Sequence, residues 1–228
     1  MAKKNSPQAD NLQGLESALT RTEQFIEDNQ KIIIYVIGAI IVVVGGYLGF
    51  NKLYLQPKED EARSQMFMAE SYFEKDSFNL AVNGDGNYLG FLDIIDDYGI
   101  TKTANRAKYY TGISYLYMGQ YEEALDYLNS FKTKDLLLAP VSEGAKGDAY
   151  LEIGDNDKAL KQYNKAIALS DNELTTPVYM MKAANMLESM DKMKEALSLY
   201  ESIKTKYPNS EEGMNVDRYI ARVKIKLG

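Results

Sequence analysis

The sequence predicts an all-α protein: a single N-terminal transmembrane helix, then a helix–turn–helix solenoid ending in a C-terminal capping helix. Three observations predict it. Residues 32 to 50 form an unbroken apolar run without a charge. Small, large and turn-forming residues then recur with a period of 35 to 37 residues. Finally, residues 211 to 227 place Val216, Tyr219, Ile220, Val223 and Leu227 on one helical face.

The elements follow in chain order. Residues 1 to 10 are polar and are expected to be disordered. Within 11 to 30, Leu12, Leu15, Leu19, Thr22 and Ile26 fall at a/d-like spacing among charges, the pattern of a short amphipathic helix. Its stripe could dock on a partner, lie on a membrane surface, or simply continue the helix that follows. "IIIYVIGAIIVVVGGYLGF", residues 32 to 50, is that next helix. At 1.5 Å per residue its 19 residues span about 28 Å, close to a hydrocarbon core of ~30 Å. Its twelve Ile, Val, Leu and Phe residues favour insertion by roughly 4 to 7 kcal/mol, less the cost of four Gly and two Tyr. Tyr35, Tyr47, Phe50 and Tyr54 fit interfacial belts, and Gly45 and Gly49 have the spacing of a helix-association motif. The long leader and the absence of a small-x-small site predict a retained signal anchor. Charge leaves its orientation open: Arg21 and Lys31 with Lys3 and Lys4 precede the span, and Lys52, Lys58 and Arg63 follow it.

Residues 51 to 61 read as a polar linker, and the array occupies 62 to 228. Aligned on Ala124, Ala159 and Ala196, the repeats have a small residue twelve positions earlier (Gly112, Gly147, Ala184). A large one stands nine earlier (Tyr115, Tyr150, Leu187), a turn former five earlier (Gly119, Gly154, Asp191), and a large one four later (Leu128, Tyr163, Tyr200). A period of this length with this order marks stacked helical hairpins. Gly112 and Ala124 are expected to face one another where two backbones approach closely, and Gly119 to end its helix in the left-handed region. Repeats are predicted at about 105–138, 140–173 and 177–210. A degenerate copy at about 62–100 carries Ala69, Tyr72, Asp76, Phe78 and Ala81, its second helix extended or broken around "NGDGNYLG". Thr176-Pro177 and Pro140 open first helices, and Pro208 closes a second one.

Composition narrows the chemistry. The net charge is −7 and no Lys/Arg run exceeds Lys3-Lys4, so nucleic acid is not an expected partner. The chain has no His, Cys or Trp, which removes His/Cys metal sites, thiol nucleophiles and imidazole acid–base catalysis. Asn83, Asp85 and Asn87 imitate the start of a calcium loop, but Tyr88 and Ile94 stand where its Gly and Glu belong. Asp93, Asp96 and Asp97 read as a solvated helix face. No cofactor is expected, and no catalytic constellation is visible.

The repeat pattern resembles the tetratricopeptide repeat (TPR) family over roughly residues 60 to 228. That resemblance implies a groove for protein partners lined by the first helix of each repeat. Carried over by position, the first clear repeat presents Arg106, Tyr109, Ile113, Leu116 and Tyr117. The second presents Val141, Gly144, Asp148, Leu151 and Glu152; the third presents Val178, Met181, Asn185, Glu188 and Ser189. Tyr109 and Tyr117 stand out as anchors. The clamp that some members use for chaperone tails needs a Lys and an Asn where Tyr109 and Ile113 stand, which argues against that specialisation. The layout of anchor plus short array is similar to the YfgM-like family, ancillary to the bacterial Sec translocon. It implies a cytoplasmic N-terminus, a periplasmic array, and a tethered scaffold for partner or client proteins. The alternatives are a structural subunit of an envelope or secretion complex and, from another class, an enzyme.

Overall fold

The computed structural model describes the backbone of residues 7–228 and the side chains of residues 23–228. The expectation for residues 1–6, and the stripe of Leu12, Leu15, Leu19 and Thr22 side chains, lie outside the described residues. Among the described residues every regular element is a helix. The chain divides into two compact units, Met1–Pro57 and Lys58–Gly228.

The first unit is α1, Pro7–Phe50, followed by a π-helical turn, Asn51–Leu55. Helix therefore starts at Pro7, inside the stretch expected to be disordered; proline suits a first helical position because its missing N–H has no partner there anyway. No residue between 32 and 50 is buried, and a Cβ added at Gly45 or Gly49 would meet nothing within 4 Å. The helical stretch Glu23–Glu74 contains a window long and apolar enough to cross a membrane, and none of the described residues covers that window.

The supposed linker is helical too. After the π turn, α2 runs Gln56–Glu74. Pro57 is its only breaker, and it sits second in the helix, where the orphan first-turn N–H makes proline harmless. The second unit then stacks helical hairpins. α3 (Phe78–Asn83) and α4 (Phe91–Asp97) are the broken second helix of the degenerate repeat. α5 (Lys102–Tyr117) pairs with α6 (Tyr121–Ser130), α7 (Leu138–Ile153) with α8 (Asn156–Leu169), and α9 (Thr176–Ser189) with α10 (Met193–Lys206).

One backbone device recurs at all four turns. Asp76, Gly119, Gly154 and Asp191 have φ of 55°, 75°, 88° and 60°. The next N–H reaches back to the carbonyl of Tyr72, Tyr115, Tyr150 or Leu187 at 2.8–2.9 Å, closing a Schellman turn. Aspartate tolerates the left-handed region better than most L residues, so two of the four repeats manage without glycine.

Ala69, Ala81, Ala124, Ala159 and Ala196 are all fully buried. The close contact, however, is not glycine to alanine. A Cβ at Gly112 would stand 2.6 Å from Leu128 Cγ, and one at Gly147 would stand 2.5 Å from Tyr163 Cε1. Leu128 stands one helical turn beyond Ala124 on the same face of α6, and its larger side chain fills the space that Gly112 leaves.

The loop between α3 and α4 is held by Asp85, which accepts from the Tyr72 hydroxyl at 2.8 Å and from the N–H groups of Asn87 and Tyr88. Asp93 accepts from Gly90 N–H and so caps α4. α9 opens at Thr176, which makes Thr175 the capping position and Pro177 the second helical residue. Pro140 is third in α7, whose start is fixed by Asp135 accepting from Leu137 and Leu138 N–H at 2.8 Å.

The expected final helix is two: α11 (Glu211–Asn215) and α12 (Asp217–Leu227), parted at Val216. Val216, Ile220 and Val223 are buried against Tyr200, Ile203 and Tyr207 from α10 and its end, whereas Leu227 is exposed. α12 is also tied by charge. Glu188 of α9 accepts from Arg222 at 2.6 Å and Lys226 at 2.8 Å.

Candidate functional site on the first helices

The side chains that sequence position assigned to one face do not all reach it. Asp148 and Leu151 of α7 meet Lys182, Asn185, Met186 and Ser189 of α9 around a cavity of about 310 Å³, with Tyr163 of α8 behind them. Four of the predicted residues, Asp148, Leu151, Asn185 and Ser189, are thus brought together. Leu151 and Asn185 are exposed, so the cavity has an apolar lip and an amide lip.

The polar parts are held in place by repeat-equivalent bonds. Tyr163 donates its hydroxyl to Asp148 Oδ1 at 2.8 Å, and Tyr200 donates to Asn185 Oδ1 at 2.6 Å. Lys182 Nζ lies 2.6 and 2.7 Å from the two oxygens of Asp148. Side chains of this pair are about a third exposed, so solvent screening limits its contribution to about 1 kcal/mol or less. A pair so weakly held can exchange partners with an incoming charged or amide group at little cost. Burial, then the Asp148 charge, pushes the Tyr163 phenol well above its ordinary range; burial, then Asp148 and Tyr109, does the same to Tyr179. Both phenols stay neutral at physiological pH, and Tyr163 keeps its proton for the bond to Asp148.

The other predicted residues are distributed differently. Tyr109 is half-buried, its ring 5.3 Å from Phe131 and 5.5 Å from Tyr110, and burial pushes its phenol up to about 12. It is a packing residue with only part of its surface on the face. Tyr117 is 68% exposed and stacks on Phe78 at 4.9 Å, so it remains an accessible aromatic. Arg106 is exposed and donates to Thr103 Oγ1 at 3.2 Å. Ile113, Leu116, Val141 and Val178 are half-buried between helices. Met181 lines a separate cavity of about 150 Å³ with Glu211, Asn215 and Tyr219. Two positions are corrected outright. Gly144 is buried beneath the Tyr179 ring, and Glu188 is buried and engaged by α12, so neither offers a groove surface.

Sequence reasoning missed Lys182. It lies 34 residues after Asp148, and Arg222 lies 34 after Glu188. Opposite charges one repeat apart were the available signal. Among the described residues no group of carboxylates is arranged to hold a metal ion.

Comparison with known proteins agrees with this architecture. The profile for the tetratricopeptide repeat matches residues 106–135 and 179–210. No curated protein matches the chain. Among solved structures, a kinesin light chain candidate of Podosopora anserina with nearly identical TPR-like repeats superposes with a TM-score of 0.58 at 16% identity, covering 75% of this chain and 88% of that one. A point variant of the same protein gives the same values. The MamA protein superposes with a TM-score of 0.52 at 16% identity, covering 72% of this chain and 88% of its own. At such identity the likeness is one of fold. Residues 58–228 therefore form an all-helical solenoid that carries tetratricopeptide repeats.

Proposed function

We propose that the chain is a membrane-tethered scaffold whose repeats hold partner or client proteins beside an inner-membrane machine such as the Sec translocon. Repeats of this type are generally protein-binding and non-catalytic, which supports the scaffold reading. The observation that carries the site is the cavity between α7 and α9. It combines an exposed Leu151, the Asn185 amide, the Ser189 hydroxyl and a loosely held Asp148–Lys182 pair, a lining suited to a polypeptide surface. The uncovered apolar run at 32 to 50 supports the tether and its contact with lipid. On the resemblance in layout, residues 1 to 31 lie in the cytoplasm and the repeats, with α11 and α12 as their cap, in the periplasm of a bacterium.

The reading is tested by quantitative affinity capture with the full chain in mild detergent. Leu151→Ala with Tyr117→Ala removes two exposed side chains of the first-helix face and lowers partner capture at least about tenfold, or ~1.4 kcal/mol. Glu122→Ala with Asp126→Ala, on the exposed side of α6, leaves capture unchanged. Equal behaviour of the two pairs would move the site elsewhere. Protease added outside spheroplasts removes the repeats and spares the N-terminal tail; protection of the repeats would reverse the topology.

A further inference from the structure

The three loops that join one hairpin to the next share a feature the peptide-binding face does not explain. Two residues before each following first helix stands a large apolar side chain in solvent: Ile100 before α5, Leu136 before α7 and Leu174 before α9, exposed by 57, 69 and 71%. A single exposed apolar residue is ordinary; recurrence at one register position is not. In a stack of hairpins these loops lie along one edge, and the turns within hairpins lie along the other. At those opposite turns stand Gly119-Gln120, Gly154-Asp155 and Asp191-Lys192; exposed apolar side chains flank two of them, Tyr117 and Ile153, but not at one register position.

The same edge is where the chain enters the array. Glu59 accepts from Lys102 N–H at 2.7 Å and from Thr103 Oγ1 at 2.8 Å, fixing the start of the second unit against the start of α5 and the Ile100 loop. The apolar run ends at Phe50, eight residues before Lys58. Eight residues reach about 12 Å as helix and no more than about 29 Å fully extended. Chain length alone therefore bounds how far Lys58 can lie from a membrane that holds residues 32 to 50. Basic groups accompany it. Behind the Leu136 loop, a cavity of about 350 Å³ is lined by Lys132, Lys146 and Lys165, with Glu143 as the one carboxylate in its lining. Lys146, buried, and Lys165, exposed, both pair with Glu143 at 3.0 Å, and the exposed Lys132 donates to the Asn129 carbonyl at 3.1 Å. Of the edge's acids, Asp135 is engaged by backbone N–H groups and Asp171 by the Tyr207 hydroxyl, while Asp97 beside the Ile100 loop and Glu173 next to Leu174 are exposed, so the apolar residues and not net charge single out this edge.

We propose that this loop edge rests on the surface of a lipid bilayer. Ile100, Leu136 and Leu174 enter the boundary between headgroups and acyl chains, and Lys132 meets a headgroup phosphate. The proposal rests on the reading of residues 32 to 50 as a membrane span.

The chain has no cysteine, so single probes can be placed in the full-length protein. Ile100→Cys, Leu136→Cys, Leu174→Cys, Gln120→Cys, Lys192→Cys and Val42→Cys are each labelled with a polarity-sensitive fluorophore. They are reconstituted in vesicles of phosphatidylcholine with about a quarter phosphatidylglycerol, where anionic lipid supplies the surface potential. The expected result is blue-shifted emission, quenched by headgroup-attached nitroxide, at the three loop positions and not at Gln120→Cys or Lys192→Cys. Val42→Cys reports the acyl interior independently. If Val42→Cys is lipid-buried and the loop probes are as water-exposed as Gln120→Cys, the edge proposal falls and the span stands. If Val42→Cys is itself in water, the span reading falls and takes the proposal with it. Loop probes that are blue-shifted but insensitive to lipid nitroxide, and that become water-exposed on dilution to one chain per vesicle, would show a second copy as the occupant and overturn it.

Discussion

Gly144 separates a reading by sequence position from the structure most sharply. By position it belongs to an open groove, where Ala would add helix propensity and raise stability by about 1 kcal/mol. In the structure its missing side chain is the seat of the Tyr179 ring. A Cβ there would stand 1.9 Å from Cε1, 2.3 Å from Cζ and 2.6 Å from the hydroxyl oxygen. Ordinary contact begins near 3.4 Å, so the ring or its helix must retreat by about 1.5 Å. Overpacking of that size belongs near the top of the ~1–3 kcal/mol range; less the propensity gain, Gly144→Ala costs about 2 kcal/mol. For a chain of this length that lowers the unfolding midpoint by about 4–8 °C. The assay is thermal unfolding of the full chain in detergent, followed by near-UV circular dichroism of tyrosine, which reports tertiary packing. Tyr179→Leu supplies the control, because leucine lacks all three atoms that the new methyl would strike. In that background Gly144→Ala becomes neutral or stabilising by up to about 1 kcal/mol. A higher midpoint for Gly144→Ala in the unaltered chain, or an equal loss in both backgrounds, would refute the argument.

Two further outcomes follow from the turn and from the α12 contact. Asp191→Gly relieves a left-handed L residue and stabilises by up to about 1 kcal/mol, whereas Gly154→Ala, at φ 88°, destabilises by about as much; urea unfolding midpoints read both. Burial alone would raise the Glu188 carboxyl, but Arg222 and Lys226 outweigh it and hold the group below the ordinary carboxylate range. A lowered folded value means stability that is present above the unfolded value and lost as pH falls through the folded one. Glu188→Gln therefore lowers the midpoint at neutral pH, by about 1–2 kcal/mol once screening of the half-exposed cations is allowed for, and the gap to the parent closes below about pH 4. A constant gap across that range would contradict the assignment.

Much of the array was legible because its turn is a backbone requirement repeated four times. Glycine or aspartate five residues before a buried alanine marks it even where the rest of the repeat has decayed, as at Asp76. The broken α3–α4 segment was visible as a spacing too long for one hairpin. Pair contacts were less legible. Alignment places Gly112 and Ala124 in one register but does not say which side chain fills the gap, and Leu128 does. The exposure of a first-helix side chain was readable where it depends on its own helix, as with Leu151 and Asn185. It was not readable where a neighbouring repeat decides: Phe131 and Tyr110 pack on Tyr109, Tyr179 covers Gly144, and α12 takes Glu188. The helix at 51 to 61 was hidden by polarity, since a run of charged residues reads as a linker unless Pro57 is recognised as a first-turn residue.

The claim that the first helices form the partner face is tested most directly by site-specific photo-crosslinking in native membranes. A photoreactive amino acid is placed singly at Leu151 and Asn185, on the lips of the α7–α9 cavity, and at Glu122 and Asp126 on α6. The account predicts the same discrete partner adduct from Leu151 and Asn185, lost when Tyr117→Ala is added, and none from the α6 positions. Adducts of equal yield from both faces, or from α6 alone, would contradict it.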